Sequence, residues 1–262
     1  MTTVAQTMLS TEQHAFYLEH GYLLAKGVLS RTEAQEYRQE CHDLAARLSA
    51  NASLESTWKS ARQGMGPQAN TMLLGCHNVQ FYSAAFSRLI VDPRVTNIAA
   101  EIMGTPNVQL HHTKMFIKPP ERGSPFPLHQ DHPFFPHEQH SMIAAIFHFD
   151  DAPLEKGCVW VVPGSQKRGP LEHDPEGSWH LPLDQYPLES AVACPATAGD
   201  ILFFSYLTIH GSGINVSSEA RTTMLLQMRD PLDRPTLKTH ESRGQGMMLR
   251  GLDTAAVLRG VE

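Results

Sequence analysis

The feature that most constrains the fold is a change in hydrophobic period at Val108. Before it, apolar residues recur at helical spacing, whereas from Val108 to about residue 229 they form short runs separated by turns. Consecutive strands without helices between them favour antiparallel pairing, so the sequence predicts a sandwich or barrel over about residues 107–229. The predicted strands are 108–118, 142–149, 158–162, 191–194, 201–204 and 222–227, and Gly199-Asp200 is predicted to be a hairpin turn.

Helices are predicted for the N-terminal part of the chain, from about residue 10 to residue 104. Ser10 with Gln13 fits a capping box, and so does Ser30 with Glu33, so each pair indicates the start of a helix. A further helical pattern ends at Gly104, a residue type that often follows a helix. These helices are expected to flank the β core.

A single domain is expected for the 262 residues, because their 41% hydrophobic content is ample for one sizeable core. The tail, residues 230–262, is polar and contains several glycines, so it is predicted to be irregular. Residues 51–72 are polar with Gly and Pro, and are predicted to be either a disordered insert or a lid over a pocket.

Charge and composition restrict the class of partner. The net charge is −6 and no long basic run is present, which argues against nucleic acid or an anionic membrane as the main partner and favours a small molecule. Neither a secretory signal nor an apolar run of membrane-spanning length is visible. The four cysteines form no CxxC pair, so free thiols in a cytoplasmic protein are expected. Oligomeric state is not predicted.

A candidate metal site is formed by His129 and Asp131 with the distant His210. Side chains two residues apart in an extended segment point to the same side, so His129 and Asp131 can bind one ion. Two neutral imidazoles and one carboxylate, with open positions opposite, are the ligand set of non-haem Fe(II) oxygenases. Either histidine taken singly could equally be a surface or core residue, and it is the joint pattern that favours a metal site.

A candidate co-substrate site lies at Arg221, eleven residues after His210. The open metal positions could hold a chelating 2-oxo acid and then O2, and a guanidinium binds the far carboxylate of such an acid bidentately. If the strands on either side of the intervening turn pair as a hairpin, Arg221 returns towards the ion. Thr223 would share its face and could donate a hydrogen bond. Arg221 could otherwise be a solvated strand arginine.

Seven motifs together resemble the phytanoyl-CoA dioxygenase family of Fe(II)- and 2-oxoglutarate-dependent oxygenases, over roughly residues 10–230. They are Lys118-Pro119-Pro120, His129-Gln130-Asp131, Asp151-Ala152-Pro153, the run from Lys156 to Gln166, Gly199-Asp200, His210-Gly211-Ser212 and Arg221. Gln166 departs from the family, which usually has His at that place. The resemblance implies a mainly β protein with flanking helices and a double-stranded β-helix (jelly roll, cupin-like) core.

The resemblance also implies the residues of the site. Fe(II) would be bound by His129, Asp131 and His210, and no further catalytic residue is expected. The 2-oxoglutarate carboxylate would be bound by Arg221 and, further, by Lys114, Ser212 and Thr223. Halogenating relatives carry a small residue in place of the carboxylate, so Asp131 argues for oxygenation. Candidate substrate contacts are His132, Phe134, Phe135, His148 and Trp160.

The implied activity is hydroxylation of an unactivated C–H bond, with Fe(II), 2-oxoglutarate and O2 as cofactor and co-substrates and succinate and CO2 as released products. A small metabolite or natural-product intermediate is the expected substrate. Desaturation, cyclisation or epimerisation in the same family is the first alternative. A jelly-roll protein that binds a metal or ligand without redox turnover is the second.

Overall fold

The computed structural model describes residues 8–50, 72–174, 180–238 and 241–259. The predicted disordered insert or lid, 51–72, lies outside these residues except for Met72. Across the described ranges, no helix combines the length and the apolar character needed to cross a membrane.

Four helices in the N-terminal part confirm the predicted starts and ends. Both capping boxes form: each serine side chain accepts a hydrogen bond from the backbone amide of the third helical residue, and the side chain of that residue accepts one from the serine backbone N–H. Gly104 follows the last of these helices with φ of 67°, a left-handed conformation that favours glycine. The helices are α1 (Thr11–His20), α2 (Arg31–Ser49), α3 (Ala84–Leu89) and α4 (Pro93–Met103).

Eleven strands are found in the described part of the chain, and they form two antiparallel sheets. The larger sheet has the order β1-β8-β5-β10-β3-β11, with β2 also paired to β3, and the smaller has the order β4-β9-β6-β7. The elements are β1 (Tyr22–Ala25), β2 (Leu74–His77), β3 (Val108–Lys118), β4 (Phe126–His129), β5 (Ile143–His148), β6 (Val159–Val161), β7 (Val192–Cys194), β8 (Ile201–Ser205), β9 (His210–Ser212), β10 (Arg221–Arg229) and β11 (Met248–Arg250), followed by a last helix, α5 (Thr254–Arg259).

The two sheets pack face to face, which is the sandwich that the strand pattern predicted and the jelly roll that the resemblance implied. Between them, Leu202 and Phe204 of the larger sheet pack against Val159 and Val161 of the smaller one. The opposite face of the larger sheet is covered by the helices, and this second cluster holds most of the buried apolar residues. Burial of these two faces is the main stabilising contribution to such a fold.

Three local expectations are wrong. Gly199-Asp200 is not a hairpin turn, because β7 before it belongs to the smaller sheet and β8 after it to the larger. Strands β9 and β10 do not pair either, so His210 and Arg221 lie in opposite sheets. The tail is not wholly irregular, since Met248 and Arg250 pair with β3 and α5 follows. In each case the pairing partner is distant in sequence, which local patterns do not reveal.

Candidate metal centre

The structure brings His129, Asp131 and His210 together at one end of the smaller sheet. His129 ends β4 and His210 begins β9, and the two residues are direct partners in the antiparallel pair. Asp131 lies in the bend just past β4, and its Oδ1 is 3.8 Å from the Nε2 atom of each imidazole. One potential ligand atom from each of the three residues lies within 4.8 Å of the others, close enough to share one ion.

Hydrogen bonds fix which imidazole nitrogen is available to a metal. Nδ1 of His129 lies 2.8 Å from the carbonyl oxygen of Pro127, and Nδ1 of His210 lies 3.0 Å from that of Thr208. A carbonyl oxygen can only accept, so each Nδ1 carries the proton and each Nε2 is the unprotonated nitrogen, the form that can bind a metal. Metal-binding histidines are commonly oriented in this way.

The third ligand candidate is oriented by a residue that the sequence analysis missed. Nε2 of Gln227, on β10 of the larger sheet, donates to Oδ2 of Asp131 over 2.5 Å. Oδ2 is therefore occupied, and Oδ1 is left to face the two imidazoles. Gln227 lies an even number of residues after Arg221 and Thr223 on β10, so its side chain points to the same face of the sheet. This alternation was the sequence signal that could have identified Gln227.

Burial shifts the ionisation of all three residues. It lowers the pKa of His129 to about 3, with His210 as the next cause, and lowers that of His210 to about 4, so both rings are neutral at neutral pH. Burial also raises the pKa of Asp131 to about 6. A divalent cation would compensate the buried carboxylate, and two neutral nitrogens with one carboxylate oxygen suit Fe(II). The donor set thus fits the predicted metal.

A small cavity of about 90 Å³ extends from these three residues between the two sheets. Most of its wall is apolar, and the polar exceptions besides the three metal-ligand candidates are Ser212, Arg221 and Thr223. The apolar wall consists of Phe116, Phe126, Ile146, Val159, Phe204, Gly211 and Leu225. Three of the four residues expected to bind 2-oxoglutarate therefore share the cavity with the metal-ligand candidates.

Arg221 is buried at 3% exposure and is suited to bind an anion. Its Nη1 donates to the carbonyl oxygen of Gly157, while its Nε, also buried, has no hydrogen-bond acceptor among the described residues. Burial lowers its pKa to about 10, so it remains charged at neutral pH. A carboxylate entering the cavity would supply the missing acceptor and charge.

Lys114 and His148 lie near the cavity but outside its wall. Lys114 is the strand partner of the wall residue Leu225, and its ammonium lies 5.1 Å from the ring centre of Phe116. His148 is fully buried at the end of β5, opposite Thr223. The structure gives neither residue a direct contact with the cavity.

The other predicted substrate contacts also lie outside the cavity wall. His132 and Phe134 belong to a short 3-10 turn after Asp131, where they pack against Tyr206. Phe135 packs against His111, 4.7 Å away between ring centres. Trp160 lies on the outer face of the smaller sheet, because its neighbour Val159 points inward and side chains alternate along a strand. None of these four residues lines the cavity, so their contact with a substrate stays a prediction.

Two further residues support the site from outside the metal-ligand group. Gly157 has φ of 67°, and its carbonyl oxygen holds Arg221. Lys118, fully buried, donates from Nζ to the hydroxyl of Ser212. Both residues stood in the motifs that carried the family resemblance, but their contacts depend on loops that meet only in the folded chain.

Comparison with known proteins gives one family. A model of the phytanoyl-CoA dioxygenase (PhyH) family matches residues 17–223. The peroxisomal phytanoyl-CoA dioxygenase of Rattus norvegicus is 30% identical over 230 residues, which are 81% of this chain and 66% of the rat protein. The chain thus spans about two thirds of that relative. Methylphosphonate hydroxylase of Gimesia maris is 26% identical over 84% of this chain and 80% of its own length.

Among solved structures, the non-haem alpha-ketoglutarate-dependent carbocyclase SnoK from nogalamycin biosynthesis is similar to this chain. The TM-score is 0.73 at 25% sequence identity, and the superposition covers 88% of each chain. At this coverage the similarity extends well beyond the metal-site motifs.

Proposed function

This chain belongs to the phytanoyl-CoA dioxygenase family and is a 2-oxoglutarate-dependent dioxygenase that uses Fe(II) and O2, and on this premise we propose that it hydroxylates an unactivated C–H bond of a small metabolite or natural-product intermediate. In this proposal His129, Asp131 and His210 bind the iron, and Arg221 binds the distal carboxylate of 2-oxoglutarate with Ser212 and Thr223. Hydroxylation is the reaction named for the similar methylphosphonate hydroxylase.

The observation that carries the proposal is the convergence of two separate groups on one cavity. The three metal-ligand candidates are contributed by the smaller sheet and the bend next to it, whereas Arg221 and Thr223 are contributed by the larger sheet. A 2-oxo diacid has a chelating end and a carboxylate end, and the cavity offers a matching group for each. A metal site with a purely structural role would not require the buried guanidinium of Arg221 beside it.

Oxidative decarboxylation of 2-oxoglutarate to succinate and CO2, with O2 as the oxidant, is the chemistry that a bound iron supplies. The residues of the chain would bind the iron and 2-oxoglutarate, orient the groups that hold them, and exclude water from the cavity. Gln227 keeps Oδ1 of Asp131 directed at the two imidazoles. Gly157 holds the guanidinium of Arg221 in the cavity. The apolar wall keeps the cavity poor in water, which strengthens the attraction between Arg221 and a carboxylate.

Ring closure is a second candidate outcome, because the similar structure SnoK is a carbocyclase at 25% identity. Hydroxylation adds one oxygen atom to the substrate, whereas ring closure between two C–H carbons removes two hydrogen atoms. Product mass therefore distinguishes the two reactions on the same substrate. The metal-ligand candidates and Arg221 would act alike in both.

The test is a screen of small metabolites with Fe(II) and 2-oxoglutarate, scored by succinate release and product mass. Arg221→Ala is expected to abolish binding of 2-oxoglutarate while metal binding is retained. Arg94→Ala is the control, because Arg94 pairs with Asp92 and Glu33 among the helices, far from the cavity. Unchanged 2-oxoglutarate affinity in Arg221→Ala, or zinc binding without any 2-oxoglutarate affinity in the wild type, would contradict the proposal.

A further inference from the structure

Two buried cations lie side by side next to the cavity. Lys118 of β3 and Arg221 of β10 are direct partners in the antiparallel ladder, and they are 0% and 3% exposed. Like charges placed directly opposite each other in a sheet repel. Within the described ranges neither residue forms a salt bridge with a carboxylate. The Asp150 charge acts on Arg221 without an ion pair, so no carboxylate among the described residues contacts the two cations, a costly arrangement unless a ligand compensates it.

Lys118 does not reach the cavity wall itself, but it contacts a residue that does. Its Nζ donates to Oγ of Ser212 over 2.8 Å and to the carbonyl oxygen of Gly213 over 2.5 Å. Ser212 lines the cavity together with Arg221. The ring of Phe126, also in the wall, has its centre 5.4 Å from Nζ of Lys118.

The direction of this hydrogen bond determines what Ser212 can do. A protonated amine donates and cannot accept, so Oγ of Ser212 must be the acceptor. The single proton of the Ser212 hydroxyl is then free to be donated elsewhere, and the cavity is the open side.

We propose that Lys118 is a positioning residue for 2-oxoglutarate: it keeps the Ser212 hydroxyl as a donor to the distal carboxylate that Arg221 binds, and it supplies the second positive charge of that site. This inference rests on the proposed function, since it assumes that the cavity binds 2-oxoglutarate. It adds a residue that contacts the co-substrate only through Ser212.

Binding of the co-substrate would change the ionisation of Lys118. Burial first, and then the neighbouring Arg221, hold the pKa of Lys118 well below its usual value, while the Cys158 thiol acts in the opposite direction. A carboxylate bound beside the pair would offset both the burial and the repulsion. Binding of the dicarboxylate would therefore favour the charged form of Lys118.

The experiment separates the distal carboxylate from the rest of the co-substrate. Protein loaded with Ni(II), which prevents turnover, is titrated calorimetrically with 2-oxoglutarate and with 2-oxopentanoate, which has the same carbon chain without the distal carboxylate. The wild type, Lys118→Met, Ser212→Ala and the double variant are compared. Lys156→Met is the matched control, because Lys156 is also a buried lysine but pairs with Glu219 outside the cavity.

For Lys118→Met, we expect about tenfold or greater loss of affinity for 2-oxoglutarate with unchanged affinity for 2-oxopentanoate, as for loss of a charge-assisted contact. The double variant should lose less than the sum of the two single losses, since the residues act through one hydrogen bond. Lys156→Met should leave the ratio of the two affinities unchanged.

A purely structural role predicts a different result, namely equal losses for both ligands in Lys118→Met. That result, or no loss for either ligand, overturns the inference. If Lys118→Met does not fold, Lys118→Gln is used, which removes the charge but keeps a donor group; loss of affinity for 2-oxoglutarate alone supports the inference, and equal losses or no loss overturn it. A wild type that binds neither ligand overturns the proposed function instead, so the two failures are distinguishable.

Discussion

Gln227 and Asp131 are joined across the two sheets by a hydrogen bond of 2.5 Å, from Nε2 of the amide to Oδ2 of the carboxylate. Both residues are buried, and Oδ1 of Asp131 stays 3.8 Å from each of the two imidazoles. The amide therefore decides which oxygen faces the metal-ligand group. Since a neutral amide donates without adding charge, it orients the carboxylate and leaves its negative charge available to a cation.

Gln227→Leu is expected to weaken metal binding by about tenfold to a hundredfold, because a partner that orients a metal ligand is removed. The measurement is the metal dissociation constant from competition with a chelator. Gln80→Leu is the control, since Gln80 is a buried glutamine that bonds to Thr113 and the Arg243 carbonyl instead. Equal metal affinity in Gln227→Leu and the wild type would show that Asp131 needs no such partner.

Gly157→Ala is expected to lower both thermal stability and 2-oxoglutarate affinity. A Cβ at Gly157 would lie 2.4 Å from the carbonyl oxygen of Gly213, so the loop that holds Arg221 would have to move. Gly104→Ala is the control, because Gly104 has the same φ of 67° but open space around its Cβ position. The control should cost only about 1–2 kcal/mol for its left-handed backbone. If both variants retain wild-type co-substrate affinity, the Gly157 loop does not position Arg221.

Val159→Phe should weaken 2-oxoglutarate binding and Trp160→Phe should not, although the residues are neighbours. Val159 lines the small cavity, so a larger side chain there should reduce 2-oxoglutarate affinity by about tenfold or more through overpacking. Trp160 packs on the outer face of the smaller sheet, so its conservative replacement should leave that affinity unchanged. Calorimetric titration of both variants checks this. A loss of affinity in Trp160→Phe would place its side chain in the site after all.

His148 should make the metal-free protein sensitive to acid. Burial, and next the charge of Arg221, lower the pKa of His148 from 6.5 to about 4. Between these values the unfolded chain binds a proton that the folded chain does not, so stability falls as the pH drops through this window. The loss attributable to this residue is about 3 kcal/mol at pH 4.

Urea unfolding of the wild type and of His148→Leu between pH 7 and pH 4 measures this contribution. The difference in unfolding free energy between the two proteins should change by the stated amount across the window. The titrations of His129 and His210 are common to both proteins and cancel. Parallel pH profiles would mean that His148 is protonated equally in the folded and unfolded chains.

Much of the fold follows from local sequence signals. The capping boxes, Gly104 and the strand 108–118 occur where predicted, because each depends on residues within a few positions of one another. Strand partners do not follow in the same way. β9 and β10 are consecutive in sequence, yet they belong to different sheets, and nothing in the intervening turn distinguishes this from a hairpin.

The residues of the candidate site could be predicted where they belong to a sequence motif. They could not be predicted where their contacts depend on how the folded chain packs. His129, Asp131, His210 and Arg221 meet as expected, although Arg221 arrives from the opposite sheet. The inward direction of Val159 depends on its strand partners, which local patterns do not reveal, so the sequence could not show that Trp160 lies on the outer face. The bulge in the pairing of β3 with β10, where the register shifts between Gln227 and Met228, gave no sequence signal either.

The placement of the metal-ligand candidates on one sheet and of Arg221 on the other has a consequence for co-substrate length. In the proposed site, the separation between the groups for the chelating end and for the carboxylate end depends on how closely the sheets pack, and Phe204 and Val161 lie at their interface. The distance between the two sheets is therefore expected to select 2-oxo diacids by their length. Larger or smaller side chains at Phe204 and Val161 are expected to change whether a diacid one carbon longer or shorter binds. The groups that bind its two ends would stay the same.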